Sequence, residues 1–272
     1  MVQEFIRRVT GKIGRDSRFV NTLRPSYESL LDLIYFRRGV PYSLNGVKYR
    51  IAPQARITFK HEFDPETAAF LQNHIGPQEV IFDIGAQVGV YTLQLAHWSQ
   101  PFGKVLAFEP NPVACSMLQR HIDMNNLTER VEVVPMAIGD RSGTMPFFTS
   151  GISGAGRLEQ PNSVLSEDVH SFNVNVITLD EFCVQRGTWP TWIKLDIEGY
   201  EFKALESAQY VIRRCPGLQW IVELHPLLWP LTGTTKESAQ SLLDRLGLAW
   251  TQLSQYTDPW NSESMMLFQA RR

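Results

Sequence analysis

Two carboxylates that follow apolar segments could bind a nucleotide-like ligand. Asp83 ends one apolar segment and is followed by Gly85 and Gly89, while Glu109 ends the next apolar segment. Glycines placed after a strand allow a tight turn, and a carboxylate that ends the following strand can accept hydrogen bonds from both hydroxyls of a ribose. The spacing therefore predicts a nucleotide site.

The charge of Asp83 indicates which nucleotide this is. A dinucleotide site needs the spacing G-x-G-x-x-G, with a pyrophosphate at the helix N-terminus. A fixed carboxylate at Asp83 would repel a pyrophosphate and attract an ammonium. S-adenosylmethionine carries an ammonium, a sulfonium and no phosphate, so we expect this cofactor and not NAD. The expected cofactor residues here are Asp83, Gly85, Ala86, Gln87, Gly89, Glu109, Pro110 and Asn111.

Charged residues also interrupt two apolar segments further along the chain. Lys194 and Asp196 are two residues apart, as are Glu223 and His225, so each pair points to one face of its strand. Adjacent strands would bring Asp196 close to Glu223 and His225. An alcohol that accepts a methyl group must lose its proton. We expect His225 to be the base and Asp196 to orient it or the acceptor, while Lys194 neutralises Asp196 or contacts the substrate.

Three of these residues could instead bind a metal ion. Asp196, Glu223 and His225 could hold a divalent cation that acidifies the acceptor hydroxyl, although a site without metal is the favoured expectation. Glu198 and Glu201 follow at the start of the next helix, where carboxylates are favoured by the partial positive charge of the backbone. We assign Glu198 to the substrate and Glu201 to the helix start.

Four ordered motifs resemble the FkbM family of S-adenosylmethionine-dependent methyltransferases. They are FDIGAQVGVYTL from Phe82, FEPNP from Phe108, AIGDRSG from Ala137 and IKLDIEGYE from Ile193, and the resemblance covers roughly residues 63–270. It implies O-methylation of a sugar, a polyketide or another small secondary metabolite, and adenine contacts from Ala137 to Asp140. Members of the family usually carry Asn where this chain has Gln87.

Other functions remain open from the residues alone. A nitrogen or RNA acceptor is one alternative, and a cofactor-binding regulator without turnover is another. The N/D-P-P-Y/F signature of nucleobase amino methylation is absent, because Asn111-Pro112 is followed by Val113, and this disfavours a nucleic-acid acceptor. A protein without turnover should have lost the polar residues of the two charged strands, and this chain keeps them.

Strands and helices alternate through most of the chain, which predicts an α/β fold. The expected class is a Rossmann-like class I methyltransferase fold, with a seven-stranded doubly wound sheet that binds ligands at the C-terminal ends of its strands. Expected strands are 80–84, 104–109, 131–137, 191–196, 218–225, 249–254 and 264–270, and expected helices are 65–74, 89–99, 112–125, one from Thr178, 200–213 and 234–246. Short strands are also expected at 147–148 and 174–176. A loop rich in Gly and Ser interrupts the alternation, and we expect residues 150–170 to close over the acceptor and His170 to contact it.

Residues 1–62 are expected to form an N-terminal cap on a methyltransferase domain of residues 63–272. Apolar spacing predicts helices from Val2 to Ile13 and from Ser26 to Tyr35, and Asn45-Gly46 predicts a β-hairpin within residues 42–59. Residues 1–60 hold 12 Lys and Arg against 4 Asp and Glu, a balance of +8 that leaves −10 for the remainder. This basic flank could touch a membrane surface or another anionic partner weakly, or it could be an ordinary solvated surface.

Composition limits the class of protein. A chain of 272 residues that is 43% hydrophobic suits one large domain with an N-terminal elaboration. Three cysteines without a C-x-x-C spacing argue against a disulfide framework and a zinc site, which favours a reducing cytoplasm. No apolar segment is long enough to span a bilayer, and charges stand where a signal peptide would be apolar.

Overall fold

The N-terminal cap contributes one helix and one hairpin to the computed structural model, which describes residues 18–149, 156–158, 169–254 and 258–271. Its elements are helix α1 (Arg18–Ile34), strands β1 (Val40–Leu44) and β2 (Val47–Ile51), and a 3₁₀ turn (Pro53–Ala55). Asn45 and Gly46 have φ angles of 46° and 81°, as a tight two-residue hairpin turn requires. The predicted hairpin therefore forms, but its second strand ends at Ile51 because the chain enters the 3₁₀ turn. The helix predicted from Val2 to Ile13 and most of the basic flank before residue 18 lie outside the described residues.

The next part of the chain forms three parallel strands and their connecting helices. The elements are α2 (Pro65–His74), β3 (Val80–Ile84), α3 (Val90–Trp98), β4 (Lys104–Phe108), α4 (Pro112–Met124) and β5 (Val131–Val134). These strands are nearly continuous apolar runs, and Ile81, Phe82 and Ile84 are at most 1% exposed. A strand buried on both faces needs this composition. All of these elements except β5 lie close to the predicted boundaries.

A second, four-stranded sheet interrupts the alternation. Two of its strands include the short strands predicted at 147–148 and 174–176, but the sheet itself was not predicted. It contains β6 (Ala137–Ile138), β7 (Gly143–Thr149), β8 (Arg157–Leu158) and β9 (His170–Ile177), in the order β6-β9-β7-β8. The strand predicted at 131–137 is wrong, since it is divided between β5 and β6. Pro135 lies between the two and has no N–H to continue the ladder. Most of the predicted closing segment at residues 150–170 lies outside the described residues.

The last part of the chain completes the larger sheet. Its elements are α5 (Leu179–Arg186), β10 (Trp192–Leu195), α6 (Glu201–Glu206), α7 (Gln209–Arg214), β11 (Gln219–Leu224), a 3₁₀ segment (Pro226–Thr232), α8 (Lys236–Leu246), β12 (Leu248–Gln252) and β13 (Ser264–Ala270). One long helix over 200–213 was predicted, and the structure contains two. The carboxylate of Asp180 accepts hydrogen bonds from the backbone N–H groups of Tyr210 and Val211, both at 2.8 Å, so a new helix begins there.

The larger sheet has the order β12-β13-β11-β10-β3-β4-β5, and β13 runs antiparallel to both of its neighbours. One face packs against α2, α3 and α4, and the other against α5 to α8. The predicted α/β class with a seven-stranded, doubly wound sheet is confirmed. The order of the chain reverses between β3 and β10, and open α/β sheets bind ligands at such a point. Every helix within the described ranges is too short or too polar to cross a bilayer.

Candidate active site

A cavity opens at the C-terminal ends of β3, β4 and β10. It encloses about 960 Å³, including space that opens to solvent. The predicted residues that line it are Asp83, Gly85, Ala86, Gln87, Glu109, Pro110, Asn111, Ala137, Lys194, Asp196 and Glu198. The strand ends thus bring the cofactor motif and the charged strand β10 to one cavity.

Asp83 offers an unsatisfied oxygen in this cavity. Its side chain is fully buried, and its Oδ2 accepts a hydrogen bond of 2.5 Å from the hydroxyl of Thr92. Its Oδ1 is buried without a hydrogen-bond partner among the described residues. Burial raises the pKa of Asp83, while Lys194 and Thr92 act to lower it. A buried acceptor without a partner is costly, so an ammonium donated by a ligand fits this position.

The glycines of the first loop serve packing within the protein. Gly85 has a φ of +86°, and a Cβ placed there would lie 1.8 Å from the backbone oxygen of Asp196. Gly89 has a φ of +95°, and its Cβ would lie 2.6 Å from Leu118. Both positions exclude other residues because of φ and because of these contacts. Gln87 also has a positive φ of 49°, which Asn tolerates better than Gln does.

Glu109 directly follows β4 and holds the loop that carries Gln87. Its Oε2 accepts from the backbone N–H of Gln87 and its Oε1 from that of Asn111, both at 2.8 Å. Burial raises the pKa of Glu109 to about 7, although these two N–H groups act to lower it. Each carboxylate oxygen retains a second lone pair, so the pair can still accept two hydroxyl groups.

The remaining predicted cofactor residues divide into two groups. Pro110 and Ala137 line the cavity, and so does Asn111, whose Oδ1 accepts from the N–H of Val113 at 2.9 Å and thereby caps α4. Gly89 and Asp140 are not part of the described lining, and Asp140 lies 3.5 Å from the hydroxyl of Tyr200. Asp140 thus contacts Tyr200, which lines the cavity, and is not itself part of the described lining.

The charged residues of β10 and β11 meet as predicted. We define the polar cluster as Lys194, Asp196, Glu198, Glu201, Glu223 and His225. Lys194 is 3% exposed, and its Nζ lies 2.6 Å from Asp196 Oδ2 and 4.7 Å from the centre of the Tyr91 ring. Burial lowers the pKa of Lys194, but Asp196, Glu223 and Asp83 outweigh burial and raise it. This lysine therefore neutralises Asp196, one of the two roles predicted for it.

Glu201, which the sequence assigned only to the start of a helix, orients His225. Its Nδ1 lies 3.0 Å from Oε1 of Glu201, which is fully buried and also accepts from the N–H of Gly199. Its Nε2 lies 3.8 Å from both Asp196 Oδ1 and Glu198 Oε2. Burial lowers the pKa of His225, but Glu201, Asp196 and Glu198 outweigh burial and raise it well above the usual value. A neutral base, as predicted for His225, is disfavoured here because this environment stabilises positive charge.

The structure divides the predicted metal ligands between two groups of side chains. Among the described residues, Asp196, Glu198 and His225 form one group whose ligand atoms lie within 4.8 Å of one another. Glu223 belongs to a second group, with His225 and Glu263. Burial and the charge of Asp196 raise the pKa of Glu223 well above its usual value. Glu198 thus takes the position expected for Glu223.

The sequence did not predict the residues that form the far wall of the cavity. It comes from the four-stranded sheet, where Phe147, Thr149, Arg157 and Leu158 line the space. Arg157 is 2% exposed, yet nothing in its local sequence marks it as buried. His170, predicted to contact the substrate, is exposed at the start of β9 and is not part of the described lining.

Comparison with known proteins places this cavity in a family. The model described as Methyltransferase FkbM domain matches residues 83–246, more than half of the chain. The chain belongs to the FkbM methyltransferase family. This confirms the family predicted from the four motifs, the methyltransferase class and S-adenosylmethionine as the cofactor. The match includes the cofactor loop and the polar cluster, but not the cap.

Two curated relatives show how far the similarity extends. Methyltransferase sdnD from Sordaria araneosa is 30% identical over 92 residues, which are 33% of this chain and 35% of the relative. The 31-O-demethyl-FK506 methyltransferase FkbM from Streptomyces tacrolimicus is 25% identical over 160 residues, 49% of this chain and 60% of the relative. The chain thus matches less than two thirds of the length of either relative.

Two solved structures are similar to this FkbM chain at low identity. Methyltransferase FkbM from Methylobacillus flagellatus is 20% identical with a TM-score of 0.47, covering 72% of this chain and 44% of that one. An O-methyltransferase from Bacillus cereus in complex with SAH is 15% identical with a TM-score of 0.46, covering 79% of this chain and 84% of that one. The fold class itself follows from the strand order and from the family.

Proposed function

We propose that this FkbM methyltransferase transfers the methyl group of S-adenosylmethionine to a hydroxyl of a sugar, a polyketide or another small secondary metabolite. The observation that carries the proposal is one cavity lined both by the cofactor carboxylates Asp83 and Glu109 and by Asp196 and Glu198 of the polar cluster. The relative named 31-O-demethyl-FK506 methyltransferase supports an oxygen acceptor by its name.

Residues of the first loop would hold the cofactor. Glu109 would accept hydrogen bonds from the ribose hydroxyls, and Oδ1 of Asp83 would accept one from the ammonium. When bound, the cofactor supplies the methyl group and its leaving group. The protein then has to align the acceptor with that methyl group, which is the main source of rate in such a transfer.

The polar cluster would position the acceptor and receive its proton. Asp196 and Glu198 are each 26% exposed, line the cavity, and each has a carboxylate oxygen 3.8 Å from His225 Nε2. A hydroxyl between them can donate its proton to a carboxylate within hydrogen-bond distance. Lys194 keeps Asp196 ionised, while Glu201 keeps the imidazole of His225 in a fixed orientation.

The expected partner is a small molecule or a glycan with a free hydroxyl. A nitrogen acceptor, RNA, and a regulator without turnover are the rival functions, and no contact among the described residues favours them. The cytoplasmic location remains a prediction from the cysteine content, as does a weak contact of the basic flank with a membrane surface.

The test is a screen of acceptors with the purified full chain and methyl-labelled S-adenosylmethionine. The panel pairs hydroxylated sugars and macrolides with matched amine analogues, and it includes RNA. We expect label on oxygen in at least one hydroxylated acceptor. Label found on amines or RNA alone, or tight cofactor binding without transfer to any acceptor, would contradict the proposal.

A further inference from the structure

We propose that Asp196, Glu198 and His225 form a binding site for a divalent cation beside the methyl acceptor. The role of the cation rests on the proposed function, because the acceptor hydroxyl would be one of its ligands. The binding site itself rests on the geometry of three side chains and can be tested without any acceptor.

The three ligand atoms surround one point in space. Nε2 of His225 lies 3.8 Å from Asp196 Oδ1 and 3.8 Å from Glu198 Oε2, and all three atoms lie within 4.8 Å of one another. These distances are too long for hydrogen bonds. Metal–ligand bonds of about 2.0–2.2 Å would fill the gap after a small inward movement of the two carboxylates.

A second observation is the nitrogen that faces this point. The side chain of His225 is 8% exposed, and within the described part of the chain its Nε2 makes no hydrogen bond. Two carboxylate oxygens lie 3.8 Å from Nε2, at ion-pair distance, and a cation between the three atoms would contact all of them. The other nitrogen, Nδ1, lies 3.0 Å from Glu201 Oε1. A histidine that ligates a metal typically donates its other N–H to a carboxylate in this way. A cation bound at Nε2 would take the place of the proton that this negatively charged environment otherwise favours there.

The balance of charge and the access to solvent also suit a cation. Lys194 occupies Oδ2 of Asp196 at 2.6 Å, which leaves Oδ1 facing His225. Four carboxylates of the polar cluster, Asp196, Glu198, Glu201 and Glu223, thus stand around one lysine and one imidazole. Asp196 and Glu198 are each 26% exposed to the cavity, so water and a hydroxyl can reach the remaining coordination positions.

One nitrogen and two carboxylate oxygens indicate the kind of cation. Calcium and magnesium prefer oxygen ligands alone, whereas carboxylates suit manganese and an imidazole suits transition-metal ions. We therefore choose Mn²⁺ as the cation for the binding experiment. A bound cation would lower the pKa of the acceptor hydroxyl. The O–H bond then breaks and its proton goes to a carboxylate oxygen of the polar cluster that does not ligate the cation, while the O–CH₃ bond forms as the S–CH₃ bond breaks.

The experiment titrates chelator-treated full-length protein with MnCl₂ alone, by calorimetry and electron paramagnetic resonance. We expect one ion per chain, and roughly tenfold or more weaker binding in Glu198→Gln. Glu263→Gln is the matched control, because Glu263 belongs to the other group around His225, and it should bind as the wild type does. Asp196→Asn is the second test variant, and thermal melts establish that each variant is folded.

The outcomes separate this inference from the proposed function. No binding at millimolar Mn²⁺, unchanged binding in both Glu198→Gln and Asp196→Asn, or a loss confined to Glu263→Gln overturns the cation site. Hydroxyl methylation that proceeds undiminished in chelator, together with absent Mn²⁺ binding, leaves the proposed function and removes the site. Mn²⁺ binding that depends on Glu198 without any hydroxyl methylation supports the site and counts against the proposed function.

Discussion

Glu109 connects the cofactor loop to the next strand, since it accepts the N–H groups of both Gln87 and Asn111. Both oxygens therefore have fixed positions before any ligand binds. A carboxylate held in this way can present its remaining lone pairs to a ribose without losing side-chain entropy.

Cofactor affinity should depend on pH through this residue. Burial raises the pKa of Glu109 to about 7, and ribose hydroxyls that donate to it favour the ionised form. Affinity for S-adenosylhomocysteine should therefore fall as the pH drops below about 7 and level off above it. Calorimetry across this range is the measurement. Glu109→Gln should bind more weakly by about 1 to 3 kcal/mol and lose the pH dependence; equal affinity at every pH in the wild type would contradict this role.

Two aspartates allow a matched test of the polar cluster. Asp196→Asn should lower kcat by roughly 10²-fold or more while affinity for S-adenosylhomocysteine changes little, because the acceptor loses the carboxylate beside it. Asp140→Asn makes the same chemical change outside the described lining of the cavity and should retain most activity. Similar kcat values for both variants would show that Asp196 does not act on the acceptor.

Gly85 should tolerate no side chain. A Cβ there would overlap the backbone oxygen of Asp196 at 1.8 Å, and its φ of +86° adds a further cost of about 1–2 kcal/mol for any other residue. Gly46→Ala is the control, since Gly46 has a φ of +81° but nothing within 4 Å of its Cβ position. Thermal melts should show a much larger loss of stability for Gly85→Ala, and equal losses would mean that the contact with Asp196 is relaxed easily.

Among single residues, the sequence predicted those site residues whose position depends only on the strand that carries them. Asp83, Glu109 and Asp196 end or nearly end strands, and strand ends meet at one edge of a parallel sheet. The contact between Glu201 and His225 joins residues 24 positions apart through tertiary packing, so no local pattern indicates it. Arg157 was missed for the same reason, because its burial depends on how the second sheet folds back.

Among the elements, α4 connects the N-terminal cap to the cofactor loop. His121 on α4 is fully buried, its Nδ1 lies 2.6 Å from the backbone oxygen of Val88, and its Nε2 accepts from the N–H of Ala52 at 3.0 Å. Donating from one nitrogen and accepting at the other requires a neutral ring. One imidazole thus joins β2's end, α4 and the loop before α3.

This histidine should make stability fall in acid. Burial lowers the pKa of His121 from 6.5 to about 4, so the unfolded chain binds the proton more readily. Its contribution to stability is present above about pH 6.5 and is lost as the pH falls toward 4, with a total on the order of 3 kcal/mol. Urea unfolding at several pH values measures this. His121→Gln should be less stable at neutral pH and show a shallower decline, and parallel pH curves for the two proteins would refute the assignment.

The predicted boundaries agree with the structure where apolar periodicity determines an element. They fail where a side-chain contact from elsewhere in the chain determines it. The boundaries of β3 and α2 agree with the prediction, because each is a continuous apolar or amphipathic run between turn residues. The division between α6 and α7 depends on the carboxylate of Asp180, some thirty residues earlier in the chain. The four-stranded sheet depends on pairing between β7 and β9 across the segment at 150–168, which a local pattern does not encode.

In the whole molecule, the described part of the N-terminal cap shares a core with the sheet. Leu44, Ile51 and Ala52 are fully buried in the same cluster as Leu93 and Leu118. The division at residue 62 remains a prediction, but this packing leads us to expect one cooperative unit instead of two that unfold separately.

Two isoleucines of the cap test this expectation. Ile51 is fully buried and Ile57 is 63% exposed. Ile51→Ala should cost about 2–5 kcal/mol and lower the Tm of the entire chain in a single transition, whereas Ile57→Ala should change stability by less than about 0.5 kcal/mol. Calorimetry distinguishes the outcomes, and a separate low-temperature transition in Ile51→Ala would instead indicate an independent cap.

The two walls of the cavity are built on different sheets, because the four-stranded sheet forms one of them. The wall with Asp83, Glu109 and Asp196 is built on strands whose order and packing the whole fold requires. The opposite wall, with Phe147 and Arg157, is built on an excursion between β5 and α5 that contributes no strand to the larger sheet. Substitutions or length changes in that excursion can alter the shape offered to an acceptor while the strands beneath the cofactor loop stay in place. The architecture therefore allows the acceptor to diversify without rebuilding the methyl-donor site.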